Sequence, residues 1–221
     1  MHCFREIKKT EDGWNTLYIP ELDESYHSIH GARQESEHIF ISEALEHSTV
    51  ESPTIFEVGF GTGLNAILTY IYAQKNQKKI TFYSIEKYPL TKDEYENLGY
   101  DKLLSKDEFE AFIKLHSCPW EALVEVSEYF SIYKFKADLL TVEFPFTNID
   151  VVYFDAFSPN NQADLWTTEV FTKVAERMTA NAVLTTYCAK GQVRRNMIEA
   201  GFKVERRPGP PGKREMLRAG F

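Results

Sequence analysis

Apolar and polar positions alternate in two rhythms along this chain, and the changes of rhythm mark out its elements. Trp14 to Pro20 alternates as a short strand would, and Pro20-Glu21-Leu22-Asp23-Glu24 reads as a turn. Ala32 to His47 carries Ile39, Phe40, Ala44 and Leu45 at helical spacing. A regular series then begins. Thr54-Ile55-Phe56-Glu57-Val58 is a β-rich run that ends in glycines, and Leu64 to Gln74 is helical. Lys79 to Glu86 is a second strand, and Pro89 to Leu98 a turn with a short helix. Residues 101–130 read as two helical pieces broken at Cys118-Pro119, because proline disfavours helix in the residue before it. Ser131 to Phe135 and Asn148 to Asp155 are the third and fourth strands, the latter apolar enough to be buried on both faces. Leu165 to Met178 is helical, Ala182 to Tyr187 a fifth strand, and Gln192 to Ala200 a helix stopped by Gly201. Phe202 to Arg206 and Arg214 to Arg218 close the chain as two strands around a Pro/Gly loop.

Strands alternating with helices imply a parallel sheet with right-handed crossovers, and the closing strand–loop–strand implies an antiparallel edge hairpin. The expected fold is therefore α/β, a mostly parallel seven-stranded sheet. Residues 1–50 are expected to form a small strand and helix extension packed on a domain spanning residues 51–221.

Composition sets limits on this picture. The chain has 221 residues, 43% of them hydrophobic, enough for one sizeable core. No run approaches the ~20 apolar residues of a membrane span. The start of the chain has no apolar segment of the signal-peptide kind. Cys3, Cys118 and Cys188 are odd in number and far apart, which fits neither a disulfide framework nor a metal cluster. A cytoplasmic protein without a metal is expected. The net charge of −8 argues against a nucleic-acid partner until its distribution is seen. Residues 187–221 carry +6 and the preceding residues −14, so one end presents basic side chains to an anion or merely to solvent.

The chemistry starts at Glu57-Val58-Gly59-Phe60-Gly61-Thr62-Gly63, between a strand and a helix. Glycines there permit a sharp turn and close approach of a ligand. A dinucleotide site wants a third small residue where this chain has Leu64, which disfavours NAD. Glu86 ends the next strand, where a carboxylate can accept both ribose hydroxyls of an adenosine; its competing reading is a surface pair with Lys87. Asp138 follows the third strand and can accept from an adenine amino group, or be a solvated loop acid. Asp155-Ala156-Phe157-Ser158-Pro159 follows the fourth strand, which places an acid at the centre of the crevice. Phe157 can face a positively charged ligand there. A free aspartate is a weak base toward an alkylammonium, so Asp155 is read either as an orienting acceptor or as a base strengthened by burial.

Taken together, Phe56 to Asn65, Asp155 to Pro159, Asp164 to Thr167, Thr186 to Gly191, Val193 to Arg195, Ala200 to Phe202 and Gly212 to Met216 resemble one family. It is the methyltransferase domain of the MnmC enzymes of tRNA wobble-uridine modification, found also as a separate protein, MnmD. Tyr26-His27-Ser28, Gly31, Glu35 and His38-Ile39-Phe40 resemble its N-terminal segment. The resemblance implies a class I methyltransferase fold and S-adenosyl-L-methionine as methyl donor. It implies a cofactor site of Glu57, Gly59, Phe60, Gly61, Gly63, Asn65, Glu86, Asp138, Asp155 and Phe157, with Asp155 at the reaction centre. The substrate implied is the primary amine of 5-aminomethyl-2-thiouridine in the tRNA anticodon stem-loop. Tyr26, Glu35, Trp166 and Tyr187 are then expected around the base, and Lys190, Arg194, Arg195, Lys213 and Arg214 on phosphates. The chain ends too soon for the family's flavin-dependent domain, so no FAD is expected here and a separate oxidoreductase is expected to supply the amine. Asn160-Asn161-Gln162 departs from the lysine-bearing loop expected of the fused enzyme, which leaves that loop without a substrate role. His27 and His30 are read as structural or surface residues. Three other readings stay open: a methyl- or aminopropyltransferase for a small amine, an NAD oxidoreductase, and a catalytically silent RNA-binding module.

Overall fold

A computed structural model describes residues 4–221. Eleven strands form two sheets among these residues. The N-terminal sheet is antiparallel, with β1 (Glu6–Lys9), β2 (Asn15–Ile19) and β3 (Glu24–Ser25) in that order. Helix α1 (Ala32–Ser36) follows and widens into π-helical turns over Glu37–Leu45. Expectation had placed one strand here, because β1 is largely exposed and β3 has only two residues.

The main sheet has eight strands: β4 (Thr54–Val58), β5 (Ile80–Ile85), β6 (Leu123–Ser127), β7 (Phe130–Phe135), β8 (Ile149–Phe154), β9 (Met178–Thr186), β10 (Lys203–Pro208) and β11 (Glu215–Gly220). Their order is β10-β11-β9-β8-β4-β5-β7-β6, parallel from β9 to β7 and antiparallel at both edges. The eighth strand is a correction. Residues 120–130, read as helical, give β6 instead, paired to β7 across a short turn. Only the first half of that stretch folds as helix, α4 (Lys106–Ser117), with Ser105 and Glu108 as a reciprocal cap. Cys118 is already extended before Pro119. The Leu123-Val124-Glu125-Val126 alternation then takes the vacant edge of β7 rather than a second helix.

Both faces of the sheet are covered, and the alternation along each central strand divides its residues between two cores. Ile55, Phe82, Ile132, Val151 and Tyr153 face a cluster under α2 (Leu64–Asn76), α4 and the Glu37–Leu45 turns. Phe56, Val58, Ile85, Phe135, Val152 and Phe154 face a second cluster with α5 (Thr168–Ala175) and α6 (Gly191–Glu199). Each such burial contributes about 1.5–3 kcal/mol, which ties the strands firmly in register. The short α3 (Lys92–Glu96) packs against α4.

The N-terminal sheet is anchored to this body. Leu17 is 1% exposed, and the Trp14 ring meets Tyr100 edge-on at 4.8 Å. Among the described residues, no helix is long and apolar enough to cross a membrane. Cys118 and Cys188 are buried free thiols, while Cys3 lies outside the described residues.

Candidate active site

Reading across the parallel strands, the chain order reverses between β4 and β8. Their C-terminal ends therefore splay two loops apart, and such a crevice is where open α/β sheets bind ligands. Gly59 leaves β4 and Asp155 leaves β8 side by side, joined by the Asp155 amide donating to Val58 O at 3.0 Å. At Gly59, φ is +92°, and a Cβ there would lie 2.6 Å from Asp155 O. Only glycine fits that contact. A cavity of about 710 Å³ opens over these ends, a size suited to a nucleotide-sized ligand.

The glycine loop is held from three sides. Glu86 accepts from Gly61 N at 3.0 Å with one oxygen and from Tyr88 N at 2.8 Å with the other. Each oxygen keeps a lone pair for a further donor such as a sugar hydroxyl. His116 Nε2 lies 3.0 Å from Thr62 O, so it carries the proton and donates. Burial pushes this imidazole down to about 3, keeping it neutral. His27 lies between Thr16 Oγ1 and Thr62 Oγ1, at 3.1 and 3.4 Å, and burial pushes it down to about 4. His27 is thus held neutral between two threonines, and it lines the cavity as well. His30 is exposed and faces Glu11.

Asp155 stands at the floor of the cavity. Asn65 Nδ2 donates to its Oδ2 at 2.8 Å. Burial pushes the Asp155 carboxyl up to about 7; Glu35 adds to the push, while Asn65 and Lys213 oppose it. This carboxyl changes protonation near neutrality, the range useful to a proton acceptor. Glu35 reaches the cavity from α1, with Ser28 N donating to its Oε2 at 2.7 Å. Lys213 reaches it from the loop between β10 and β11.

The aromatic wall is Tyr26, Phe157 and Tyr187. Tyr26 and Phe157 meet edge-on at 4.9 Å, and Tyr187 Oη donates to Ala156 O at 2.9 Å. Trp166 corrects the expectation that it stands in this wall. It is 2% exposed and donates from Nε1 to Phe157 O at 2.8 Å, so it props the wall from behind.

Of the other expected residues, Gly59, Phe60, Gly61, Asn65, Glu86 and Asp138 all line the cavity. Glu57 and Gly63 do not. Glu57 is fully buried beneath the floor, and Gly63 packs where a Cβ would meet His116 Nε2 at 2.7 Å. Asp138 Oδ2 accepts from Lys87 Nζ at 2.7 Å, so Lys87 pairs with Asp138, not with Glu86. That bond holds the Asp138 carboxyl below its usual range. The expected phosphate cations separate. Lys213 turns inward, whereas Lys190, Arg195 and Arg214 are exposed and Arg194 is half-buried on α6. Among the described residues none of these four outer cations is in an ion pair, although Lys190 donates to Asn160 Oδ1 at 2.7 Å.

Two contributors escaped the sequence reading. Glu24 on β3 accepts from Ser158 N at 2.7 Å and from Asn161 Nδ2, clamping the loop after Asp155. Arg5 donates to Tyr26 Oη at 2.9 Å, to Glu94 and to Tyr88 O, tying the N-terminal segment across the cavity rim. Neither carries a sequence signal beyond its charge, since Glu24 reaches Ser158 and Arg5 reaches Tyr88 and Glu94 over more than 80 residues of chain.

Parallel order, glycine loop and strand-end acids give this chain the class I fold of S-adenosyl-L-methionine-dependent methyltransferases. A family model described as S-adenosyl-L-methionine-dependent methyltransferase matches residues 126–220. Over almost its whole length the chain is similar to MnmC proteins. It is 31% identical to the tRNA 5-methylaminomethyl-2-thiouridine biosynthesis bifunctional protein MnmC of Cupriavidus metallidurans, over 93% of this chain and 32% of the relative. The corresponding protein of Burkholderia thailandensis is 29% identical over 94% of this chain and 33% of its own. The chain thus spans about a third of these curated relatives. The crystal structure of MnmC2 from Aquifex aeolicus superposes with a TM-score of 0.76 at 26% identity, covering 99% of this chain and 71% of that one. Spermidine synthase from Thermotoga maritima shares the fold alone, with a TM-score of 0.55 at 12% identity.

Proposed function

We propose that this protein methylates the primary amine of 5-aminomethyl-2-thiouridine at the tRNA wobble position, giving 5-methylaminomethyl-2-thiouridine. The observation that carries the proposal is Asp155, a carboxyl poised near neutrality at the floor of a nucleotide-sized cavity, next to a second acid, Glu35. The relatives are named for 5-methylaminomethyl-2-thiouridine biosynthesis, which supports the choice of amine.

S-adenosyl-L-methionine supplies an electrophilic methyl carbon when bound. Gly59, Phe60 and Gly61 make the bed for it, Glu86 takes the ribose hydroxyls and Asp138 the adenine edge. Phe157 offers a ring face to positive charge. Asp155 orients the amine through a hydrogen bond and accepts its proton, so that the nitrogen lone pair is free to attack. Much of the acceleration is positioning, since the amine must lie in line with the breaking bond. Tyr26 and Tyr187 flank the uracil, and Glu35 faces its cationic substituent.

Lys190, Arg194, Arg195 and Arg214 meet tRNA phosphates, which reconciles an acidic chain with an RNA substrate. Residues 1–50 act as an extension that roofs the domain formed by residues 51–221. A separate flavin-dependent oxidoreductase supplies the amine, and both work in the cytoplasm.

Undermodified tRNA incubated with the protein and S-adenosyl-L-methionine should gain one methyl at the wobble uridine, read by nucleoside mass spectrometry. Asp155→Ala should abolish transfer while S-adenosylhomocysteine still raises the melting temperature. Charge reversal at Arg194 and Arg195 should flatten the salt dependence of tRNA binding. Equal methylation of free polyamines, without RNA, would replace this reading with a small-amine transferase.

A further inference from the structure

Two buried oxygens at the cavity floor, Glu57 Oε1 and Asn65 Oδ1, lack a hydrogen-bond partner. Glu57 is 0% exposed and Asn65 4%, so solvent does not reach them freely. The remaining atoms of both side chains are engaged. Ser84 Oγ donates to Glu57 Oε2 at 2.5 Å, and Asn65 Nδ2 donates to Asp155 Oδ2 at 2.8 Å. Asn65 lies within hydrogen-bonding reach of Glu57. Leaving either oxygen unsatisfied costs about 1–3 kcal/mol, more if one carries charge.

A single proton removes both defects. An ionised carboxylate only accepts, whereas a carboxylic acid also donates. We propose that Glu57 is a neutral acid in the folded protein, its Oε1 hydroxyl donating to Asn65 Oδ1 and thereby holding the Asn65 amide with its N–H toward Asp155. The surroundings favour this state. Burial drives the Glu57 carboxyl well above its usual range; hydrogen bonds from Ser84 and Asn65 oppose the push without reversing it, and the charges facing the group, Asp155 after β8 and Glu86 after β5, are both negative. Its other neighbours, Ser84 on β5 and Tyr153 on β8, are neutral hydroxyls.

The consequence falls on Asp155. An amide has one donor end and one acceptor end, and the two are nearly equal in shape. With Glu57 neutral, the acceptor end is fixed and the donor end stays on Asp155, where it opposes the upward push of burial. Glu57 is therefore a positioning residue acting through Asn65, one layer below the cofactor contact the family resemblance implied. This inference rests on the reading of Asp155 as the proton acceptor, but the proton on Glu57 can be read without turnover.

The test uses the full chain without cofactor. Infrared difference spectra of wild type minus Glu57→Gln, taken at a pH well above the Asp155 range, should show the carbonyl stretch of one neutral carboxylic acid. In the methylation assay Glu57→Val should lose about 10²-fold in kcat and move the acid limb of the rate to higher pH, because a freed Asn65 no longer holds Asp155 down. Glu57→Gln, which keeps a donor in place, should restore most of both. Absence of the band overturns the proposal, as does a Gln variant that behaves like the Val variant. Should Glu57→Val fail to fold, the spectrum and the Gln variant decide. A band with no methyl transfer from any tRNA would leave the Glu57 proton standing and remove the proposed function instead.

Discussion

Lys213 Nζ lies 2.5 Å from Glu35 Oε1 and 4.1 Å from the centre of the Tyr187 ring, so a cation from the C-terminal loop sits inside the acidic cavity. Glu35 and Lys213 pull on Asp155 in opposite directions, the first raising its pKa and the second lowering it. Their removal should therefore give opposite results. Glu35→Gln should move the acid limb of kcat/KM to lower pH, and Lys213→Met should move it to higher pH. Parallel shifts in a pH–rate series would show that Asp155 is not the group that sets that limb.

Asp155 also bears on stability. Its folded value of about 7 stands above the ordinary carboxylate range, so folding favours its protonated form. The stability it contributes is complete below the unfolded pKa and is lost as pH rises toward 7. Asp155→Asn should therefore be more stable than wild type above neutrality, by on the order of 1–4 kcal/mol, with the gap closing near pH ~4. Thermal melts across that range check it; a pH-independent gap would mean the carboxyl is not raised.

Gly59→Ala forces a Cβ to within 2.6 Å of Asp155 O at a φ of +92°. The backbone cannot yield without separating β4 from β8, so a cost of about 1–3 kcal/mol is expected. Affinity for S-adenosylhomocysteine, measured calorimetrically, should fall at least about tenfold, or about 1.4 kcal/mol. Gly13→Ala meets nothing within 4 Å and serves as the control for left-handed strain alone.

Glu24→Ala removes the clamp on Ser158 and Asn161 without touching the glycine loop. Hydrogen exchange at the Ser158 amide should accelerate, and KM for the amine substrate should rise while affinity for S-adenosylhomocysteine is kept. A loss of cofactor affinity equal to the rise in KM would place Glu24 in general stability instead.

The loop clamped by Glu24 shows where sequence reasoning stopped. Asn160-Asn161-Gln162 shows no role by spacing, yet in the fold Asn161 binds Glu24 and Leu22 O while Gln162 accepts from Phe157 N. These are bonds across the chain, invisible to spacing. Trp166 was misplaced for a related reason: an aromatic next to a site motif reads the same whether it lines a cavity or supports its wall. The Leu123–Ser127 strand was missed because a short apolar alternation has no fixed fate until a neighbouring strand offers an open edge.

By itself, the sequence determined the βα rhythm, the glycine turn between β4 and α2, and the strand-end positions of Glu86, Asp138 and Asp155. Those follow from local rules, since period, glycine and strand ends are set by nearest neighbours. Tertiary structure alone decided the rest: the burial that lifts Asp155, the inward turn of Lys213 onto Glu35, and the roof of Arg5, Glu24 and Tyr26. Desolvation and charge pairing depend on what packs from elsewhere in the chain, and no stretch of sequence carries that information alone.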